Sequence, residues 1–545
     1  MTLSKPKKAA ILVIAALLFA GFVTASDAFF QIRKNFTIFS EVIQEVNELY
    51  VVEVDPERTI RRGINAMLET LDPYTVLIDE SQTQDIDLIS TGSYAGVGIE
   101  VGARNGELVV IAPIEGYSAH RQGVRAGDVI VSVNGISATE LSPDDLNMQM
   151  RGQIGSEVVL VVRRFGISDK LTFTLERERI EVRNIDWFGM ADEAEGIAFI
   201  MLSRFGQNAA SEMRRAIEEL EETYTVNGLI LDLRNNPGGL LIEAVRVADL
   251  FLPENEPVVH TRGRAPQTRQ LYSTSNPSFF GDRPVVVLQN HGSASSSEIV
   301  SGALQDHDRA VIMGQRSFGK GLVQIIRPIS YGLALKITTS KYFIPSGRYI
   351  QSVDYNGEAD TDLPQHFETA GGRPVVQRTG IDPDIEAEQH AETMLEIELH
   401  RGSHFFQFAN EFMASDPTMP EPGQDDDRVM EAFREYLNNA DFSYATASQQ
   451  RVKDLRDQLR ADYGDEAGPL KGFLAELESD LEAKRLRELD EVREAILREI
   501  YLELSARVDG TALRMKTSVQ LDPLVTRAIA LINDTGAYTQ ILSAP

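Results

Sequence analysis

The sequence predicts a multi-domain α/β protein with helical segments at both ends, and three observations carry that reading. Between Ile185 and Asp384 short apolar runs alternate with amphipathic stretches, the pattern of strands and helices layered around one core. Between Ser90 and Glu181 the apolar runs are β-branched and separated by glycines, the texture of a small strand-rich module. Before and after these regions apolar residues recur at helical spacing among charges. A chain of 545 residues, 43% of them hydrophobic, exceeds what one core sustains and has enough apolar material for several.

Taken in order, Lys5, Pro6, Lys7 and Lys8 precede an uncharged run from Ala9 to Ala25, the basic and apolar regions of an export signal. Residues 1–30 are therefore either a signal peptide, with Ser26-Asp27-Ala28 as a small-residue cleavage site, or a retained membrane anchor at the lower limit of a bilayer span. Within 36–88, Phe39, Val42, Ile43, Val46 and Leu49, then Ile60, Ile64, Met67, Leu68 and Leu71, mark two helices. Pro56 lies just inside the start of the second, and Leu71-Asp72-Pro73 ends it.

Strands are expected in 90–181 at Val97–Val101, Leu108–Ile111, Val129–Val133, Val158–Val162 and Leu171–Leu175, with a hairpin turn at Asn134-Gly135. In 185–390 the expected strands are Ile197–Met201, Gly228–Leu233, Val285–Leu288 and Ala310–Met313. The helices are Ala209–Glu222, Leu240–Phe251 and Ser297–Gln305. Residues 395–545 read as a helical extension, interrupted at Pro417–Asp427 and Tyr463–Pro469. A long helix over Leu470–Val508 carries one apolar stripe that must pack on something.

A formal net charge of -29 argues against nucleic acid, whose phosphates need clustered Lys and Arg. The absence of cysteine excludes disulfides, thiolate metal sites and a Cys nucleophile. A hydrolase built on this chain must use Ser, Thr, a carboxylate or a metal. His400 and His404 have metal-ligand spacing, but Gly402 lies between them and no Glu follows the first, so no metal site is expected. No cofactor is expected either: the two glycines at Gly96 and Gly98 lack the βαβ unit of a dinucleotide site.

The apolar run Val285–Leu288 leads into His291-Gly292-Ser293-Ala294-Ser295-Ser296-Ser297-Glu298. Small residues at a strand-to-helix turn expose a hydroxyl at a helix N-terminus, where free N–H groups favour a developing negative charge. Serines there are also ordinary helix caps. Further on, Lys320 stands between two glycines in Ser317-Phe318-Gly319-Lys320-Gly321. A Lys pKa of about 10.4 is too high for a base at neutral pH, so this one must be lowered to roughly 7–8 by burial.

In the strand-rich module, Tyr94-Ala95-Gly96-Val97-Gly98-Ile99-Glu100 sets glycines where a loop becomes a strand, leaving successive N–H groups to face an anion. With Ser118–Val124 and Arg125–Gly135, this segment resembles PDZ domains. That resemblance implies that a peptide C-terminus adds as a strand beside Val97–Val101, its carboxylate held at Gly96, Val97, Gly98 and Ile99, with pockets selecting apolar tails.

From Phe36 to Asp384 the ordered motifs resemble the C-terminal processing peptidase, or tail-specific protease, family of bacterial serine endopeptidases. They are Leu71-Asp72-Pro73, the PDZ segment, Asp232–Gly239, the serine cluster, Phe318–Gly321 and Lys341–Arg348. The resemblance implies a crotonase- or ClpP-like α/β protease core (185–390) with an inserted PDZ domain (90–181), N-terminal helices (36–88) and a helical C-terminal extension (395–545). It puts the nucleophile at Ser295, its base at Lys320 and an orienting amide at Gln324. The oxyanion hole falls to the N–H groups of Gly238 and Ser296. It further implies protein substrates with apolar C-termini, a homodimer through the terminal helices, room for an adaptor protein, and a place in the periplasm or cell envelope, secreted or inner-membrane anchored.

The family usually has Ala where this chain has Ser296, so Ser293, Ser296 and Ser297 are rival hydroxyls. It more often has His-Ser after the proline where this chain has Tyr74-Thr75. A Ser-His-Asp triad drawn from His291 or His307 with Asp306 or Asp308 is a rival chemistry that spacing does not exclude. A catalytically silent PDZ scaffold or adaptor is the non-enzymatic alternative.

Overall fold

The strand Val285–Gln289 is buried along its whole length, which explains its unbroken apolar run: a parallel strand covered on both faces has no polar side. It is central in a six-stranded sheet with the order Ile185–Asp192, Ile197–Leu202, Gly228–Asp232, Val285–Gln289, Val311–Gly314 and Ile385–Glu386. The first pair is antiparallel and the others are parallel. Side chains alternate across the sheet. Ile200, Leu231, Val287 and Ile312 join a cluster with residues of the helices Ala209–Thr223, Leu241–Asp249 and Ser296–Asp306. Phe199, Ile230, Val286 and Met313 join a second cluster on the other face.

That second face is covered by the end of the chain. Val525, Ala528 and Ile532 of the helix Pro523–Asn533, and Tyr538 of Thr535–Leu542, pack on it. The Tyr538 hydroxyl donates to the Val285 carbonyl and accepts from the Val285 N–H, both at 3.0 Å. Residues 523–542, within the helical extension, thus pack on the core sheet. Each Val, Ile or Leu so buried contributes about 1.5–3 kcal/mol.

The computed structural model describes residues 29–78, 92–104, 107–164, 167–351, 366–387, 392–416, 418–463 and 468–543. The expected signal or anchor lies outside the described residues, except for Phe29 and Phe30. No described helix is long and apolar enough to cross a membrane. The chain divides into two compact units. The smaller contains a helix over residues 29–49 and the helix Pro56–Glu69, capped by Asp55 and started by Pro56 as expected. Its strand Val76–Ile78 pairs antiparallel with Ala334–Lys336. Asp72 accepts hydrogen bonds from Tyr74 N, Thr75 N and Thr75 Oγ1, and Thr75 Oγ1 accepts from Thr338 N at 3.2 Å. Thr75 therefore has a structural task in the turn.

The strand-rich module belongs to the larger unit. Its sheet runs Ile99–Arg104, Glu107–Pro113, Val129–Val133, Glu157–Arg163, Leu171–Glu176, around a core including Val110, Leu146, Val158 and Leu160. Asn134 (φ 50°) and Gly135 (φ 82°) form the expected turn. The helix Pro143–Met150 and the ribbon pairing Ser93–Gly96 with Glu178–Glu181 had no counterpart in the sequence reading.

The helices Met394–Arg401, His404–Ser415 and Asp426–Asn439 contribute to an aromatic core with Phe405, Phe408, Phe433 and Tyr436. The single long helix expected at Leu470–Val508 is two, Gly468–Glu491 and Arg493–Gln520. The second buries Ile496, Ile500 and Leu504 in the aromatic core and kinks at Asp509-Gly510, where backbone angles leave the helical region.

Candidate active site

Ser295 sits between the strand Val285–Gln289 and the helix Ser296–Asp306, with φ 55° and ψ -112°. A non-glycine residue held there stores about 1–3 kcal/mol of strain, which persists only when its surroundings dictate it. Here they do. The Ser295 N–H donates to Glu298 Oε2 at 2.8 Å, and the Ser295 carbonyl accepts from Ile299 N at 2.9 Å and from the Tyr342 hydroxyl at 3.2 Å.

The four serines of the cluster differ in what their hydroxyls do. Ser293 Oγ donates to the Leu233 carbonyl and accepts from Asn290 N. Ser296 Oγ donates to the Gly239 carbonyl and Ser297 Oγ to the Asn236 carbonyl. These three residues are at most 1% exposed. Ser295 is half-buried, and among the described residues its hydroxyl donates to no carbonyl.

The Lys320 loop meets the same turn through Glu298, which is fully buried. Its Oε2 accepts Lys320 N at 2.9 Å as well as Ser295 N, and its Oε1 accepts Gly319 N and Ser317 Oγ, both at 2.6 Å. Burial raises the Glu298 carboxyl above the usual carboxylate range, and these four donors offset only part of that rise. Ser317 is oriented in turn by Ile381 N at 2.7 Å, and Phe318 N donates to the Ser293 carbonyl at 2.9 Å.

Gly238 (φ 95°) and Gly239 form the facing turn. A β-carbon on Gly238 would stand 2.8 Å from Ser296 N, so the two expected oxyanion residues are adjacent. The Gly238 N–H donates to Asn236 Oδ1 at 2.9 Å; in this conformation that expected donor is engaged within its own turn. Ser296 begins its helix, where the first N–H groups lack helical acceptors. Gln324 lies in the smaller unit, where its Nε2 donates to Thr338 Oγ1 at 3.3 Å.

In the strand-rich module, Gly96 ends one strand, Ile99 begins the next, and Val97 and Gly98 join them. The edge strand thus starts two residues later than expected. The Val97 side chain is buried, and the carbonyls of Val97 and Gly98 are drawn inward by Ala119 N and Ile114 N. Among the described residues Ile99–Arg104 pairs only with Glu107–Pro113, so its other edge is open, and the helix Pro143–Met150 contacts this strand. An open edge beside a helix is a seat for an added peptide strand.

The rival groups have other occupations. Asp306 pairs with Arg348 at 2.5 Å, Asp308 with Arg373 at 2.5 Å, and His307 Nε2 donates to the Pro257 carbonyl at 2.7 Å. His291 is exposed. His404 contacts the Tyr436 hydroxyl and His400 packs on Phe405; no metal-ligand cluster exists among the described residues. Sequence reasoning placed Asn236, Ser317 and Tyr342 within its motifs but gave them no role, because their contacts with Gly238, Glu298 and Ser295 form only in the folded chain.

A family model described as peptidase family S41 matches residues 196–358, a PDZ domain model 109–164, and a model described as the C-terminal helical domain of a probable PDZ-protease 395–532. A carboxy-terminal-processing protease of Bartonella bacilliformis is 36% identical over 334 residues, covering 61% of this chain and 76% of that one. A carboxyl-terminal-processing protease of Synechocystis is 32% identical over 407 residues, covering 71% and 88%. A solved photosystem II D1 C-terminal processing protease is 29% identical, covering 64% and 86%, with a TM-score of 0.35.

Proposed function

The chain belongs to peptidase family S41, among the carboxy-terminal-processing proteases, and from this serine-type peptidase identity we propose that Ser295 is its nucleophile and Lys320 its general base. In this reading the neutral Lys320 amine takes the proton of Ser295 Oγ as the oxygen attacks the scissile carbonyl. Lys320 then passes that proton to the departing amine, leaving an acyl-enzyme that water hydrolyses. Gln324 orients Lys320, and the N–H groups of Ser296 and Gly238 receive the oxyanion, Gly238 after leaving Asn236 Oδ1.

The observation that carries the reading is the contrast among the serines: three are buried donors to carbonyls, while Ser295 is half-exposed on a strained turn. Ser295→Ala and Lys320→Ala each abolish cleavage of an unfolded substrate with an apolar tail while retaining the fold. Full activity in Ser295→Ala would end this reading.

Residues 90–181 act as the tail-binding domain, with the carboxylate at Gly96–Ile99 and the tail along the open edge of Ile99–Arg104. Residues 185–390, completed by the last two helices, carry the chemistry. The apolar run Ala9–Ala25 sends the chain to the bacterial periplasm or cell envelope, cleaved or retained as an inner-membrane anchor. Exposed Leu455 and Phe473 on the helices Ala447–Tyr463 and Gly468–Glu491 support a homodimer, testable by light scattering of the full chain. Pull-down with inactive Ser295→Ala protein separates direct substrate capture from delivery by an adaptor.

A further inference from the structure

Glu298 is an acidic side chain enclosed at the centre of the site, and its contacts go beyond the helix cap that it also forms. A capping Glu reaches back to one N–H; Glu298 takes four donors, two on each oxygen, from two separate segments. One oxygen, Oε2, holds the N–H of Ser295 and the N–H of Lys320, at 2.8 and 2.9 Å. The other holds Gly319 N and Ser317 Oγ, both at 2.6 Å. A carboxyl group has about four lone-pair sites, so it can take donors on both oxygens, which an amide, with acceptor sites on one atom only, cannot. The Ser317 oxygen also accepts Ile381 N at 2.7 Å, which fixes its position beside Glu298.

We infer that Glu298 is a positioning residue for the hydrolytic step: its carboxyl group, accepting from both segments, sets the distance between the Ser295 turn and the Lys320 loop and holds Ser295 in its strained positive-φ conformation. This inference rests on the Ser295 and Lys320 assignment above. Nucleophile and base belong to segments joined by no shared helix or strand, Ser296–Asp306 and the loop before Leu322–Pro328, so their separation depends on contacts between loops. Proton transfer requires hydrogen-bond reach, and small misplacement is costly: about 1 Å lowers rate about 100-fold. Glu298 touches neither substrate nor the reacting atoms in this scheme, so its removal acts on turnover and leaves tail binding intact.

The test uses the full chain with two substitutions, Glu298→Gln and Ser317→Ala, alongside Ser295→Ala. The readouts are kcat and KM on an unfolded substrate with an apolar tail, the rate of fluorophosphonate labelling, and thermal unfolding. Glu298→Gln is expected to lower kcat about 100-fold or more and Ser317→Ala about 10-fold, with KM within about twofold and labelling slowed in parallel. A merely structural role would reduce the folded fraction while each folded molecule kept wild-type kcat, and that result overturns the inference, as does kcat within twofold of wild type in both variants. If Glu298→Gln does not fold, Ser317→Ala decides by the same criteria. Cleavage by Ser295→Ala instead overturns the dyad itself, a result read independently of either variant.

Discussion

Gly238 approaches Ser295 so closely that a β-carbon on Gly238 would stand 2.9 Å from Ser295 Cβ and 2.7 Å from the Ala294 carbonyl oxygen. With φ at 95°, that position also has a backbone conformation that L-residues avoid. Gly238→Ala is therefore expected to push the two turns apart. Its kcat falls about 100-fold or more, in the range seen when an oxyanion donor is lost, with a stability loss of about 1–3 kcal/mol. Steady-state kinetics with denaturant unfolding check both.

The rival serines predict the opposite balance. Ser293→Ala removes a hydroxyl that bridges Asn290 N and the Leu233 carbonyl, and Ser297→Ala one that serves the Asn236 carbonyl. Each removes a buried hydrogen bond, at about 0.5–1.5 kcal/mol, although the Leu233 and Asn236 carbonyls keep the N–H groups of Asn236 and Ala294, and each folded molecule is expected to keep its activity. Denaturant midpoints fall while kcat per folded enzyme stays within a few-fold of wild type.

Tail capture is separable from chemistry. A β-carbon on Gly98 (φ 75°) would meet Tyr117 Cβ at 2.5 Å, so Gly98→Ala deforms the proposed carboxylate loop. It raises KM about 10-fold or more for an apolar-tailed substrate and leaves kcat within about threefold, since uniform binding is what it removes. Equal KM values for wild type and Gly98→Ala contradict the assignment of this loop.

The last helices are predicted to be indispensable to the core. Tyr538→Phe loses both hydrogen bonds to Val285, at the start of a central strand, at a cost of about 1–3 kcal/mol. Burial raises the Tyr538 hydroxyl's pKa, so it stays a neutral donor at physiological pH. Ending the chain before Pro523 strips Val286 and Met313 of cover and is expected to yield insoluble protein, whereas Tyr538→Phe remains soluble with a lowered midpoint.

How much of this was legible in the sequence follows from where the determining contacts lie. Val285–Leu288 declared itself because a strand buried on both faces is apolar throughout. Ile185–Asp192 did not: it is an antiparallel edge with partial burial and two register shifts, so it shows neither alternation nor a continuous run. The apolar stripe of Leu470–Val508 called for a helix that must pack, but nothing local singled out Pro523–Asn533, whose partner is a distant sheet. In the site, Ser295 and Lys320 were visible through ordered motifs. Glu298 was readable as a cap, while its grip on Lys320 N–H depends on a loop that returns only in the folded chain.

The most direct measurement is to label the folded enzyme with a fluorophosphonate and map the modified residue by peptide mass spectrometry. The account predicts a single adduct on Ser295, suppressed in Lys320→Ala and absent in Ser295→Ala. An adduct on Ser293, Ser296 or Ser297, or undiminished labelling in Ser295→Ala, would contradict it.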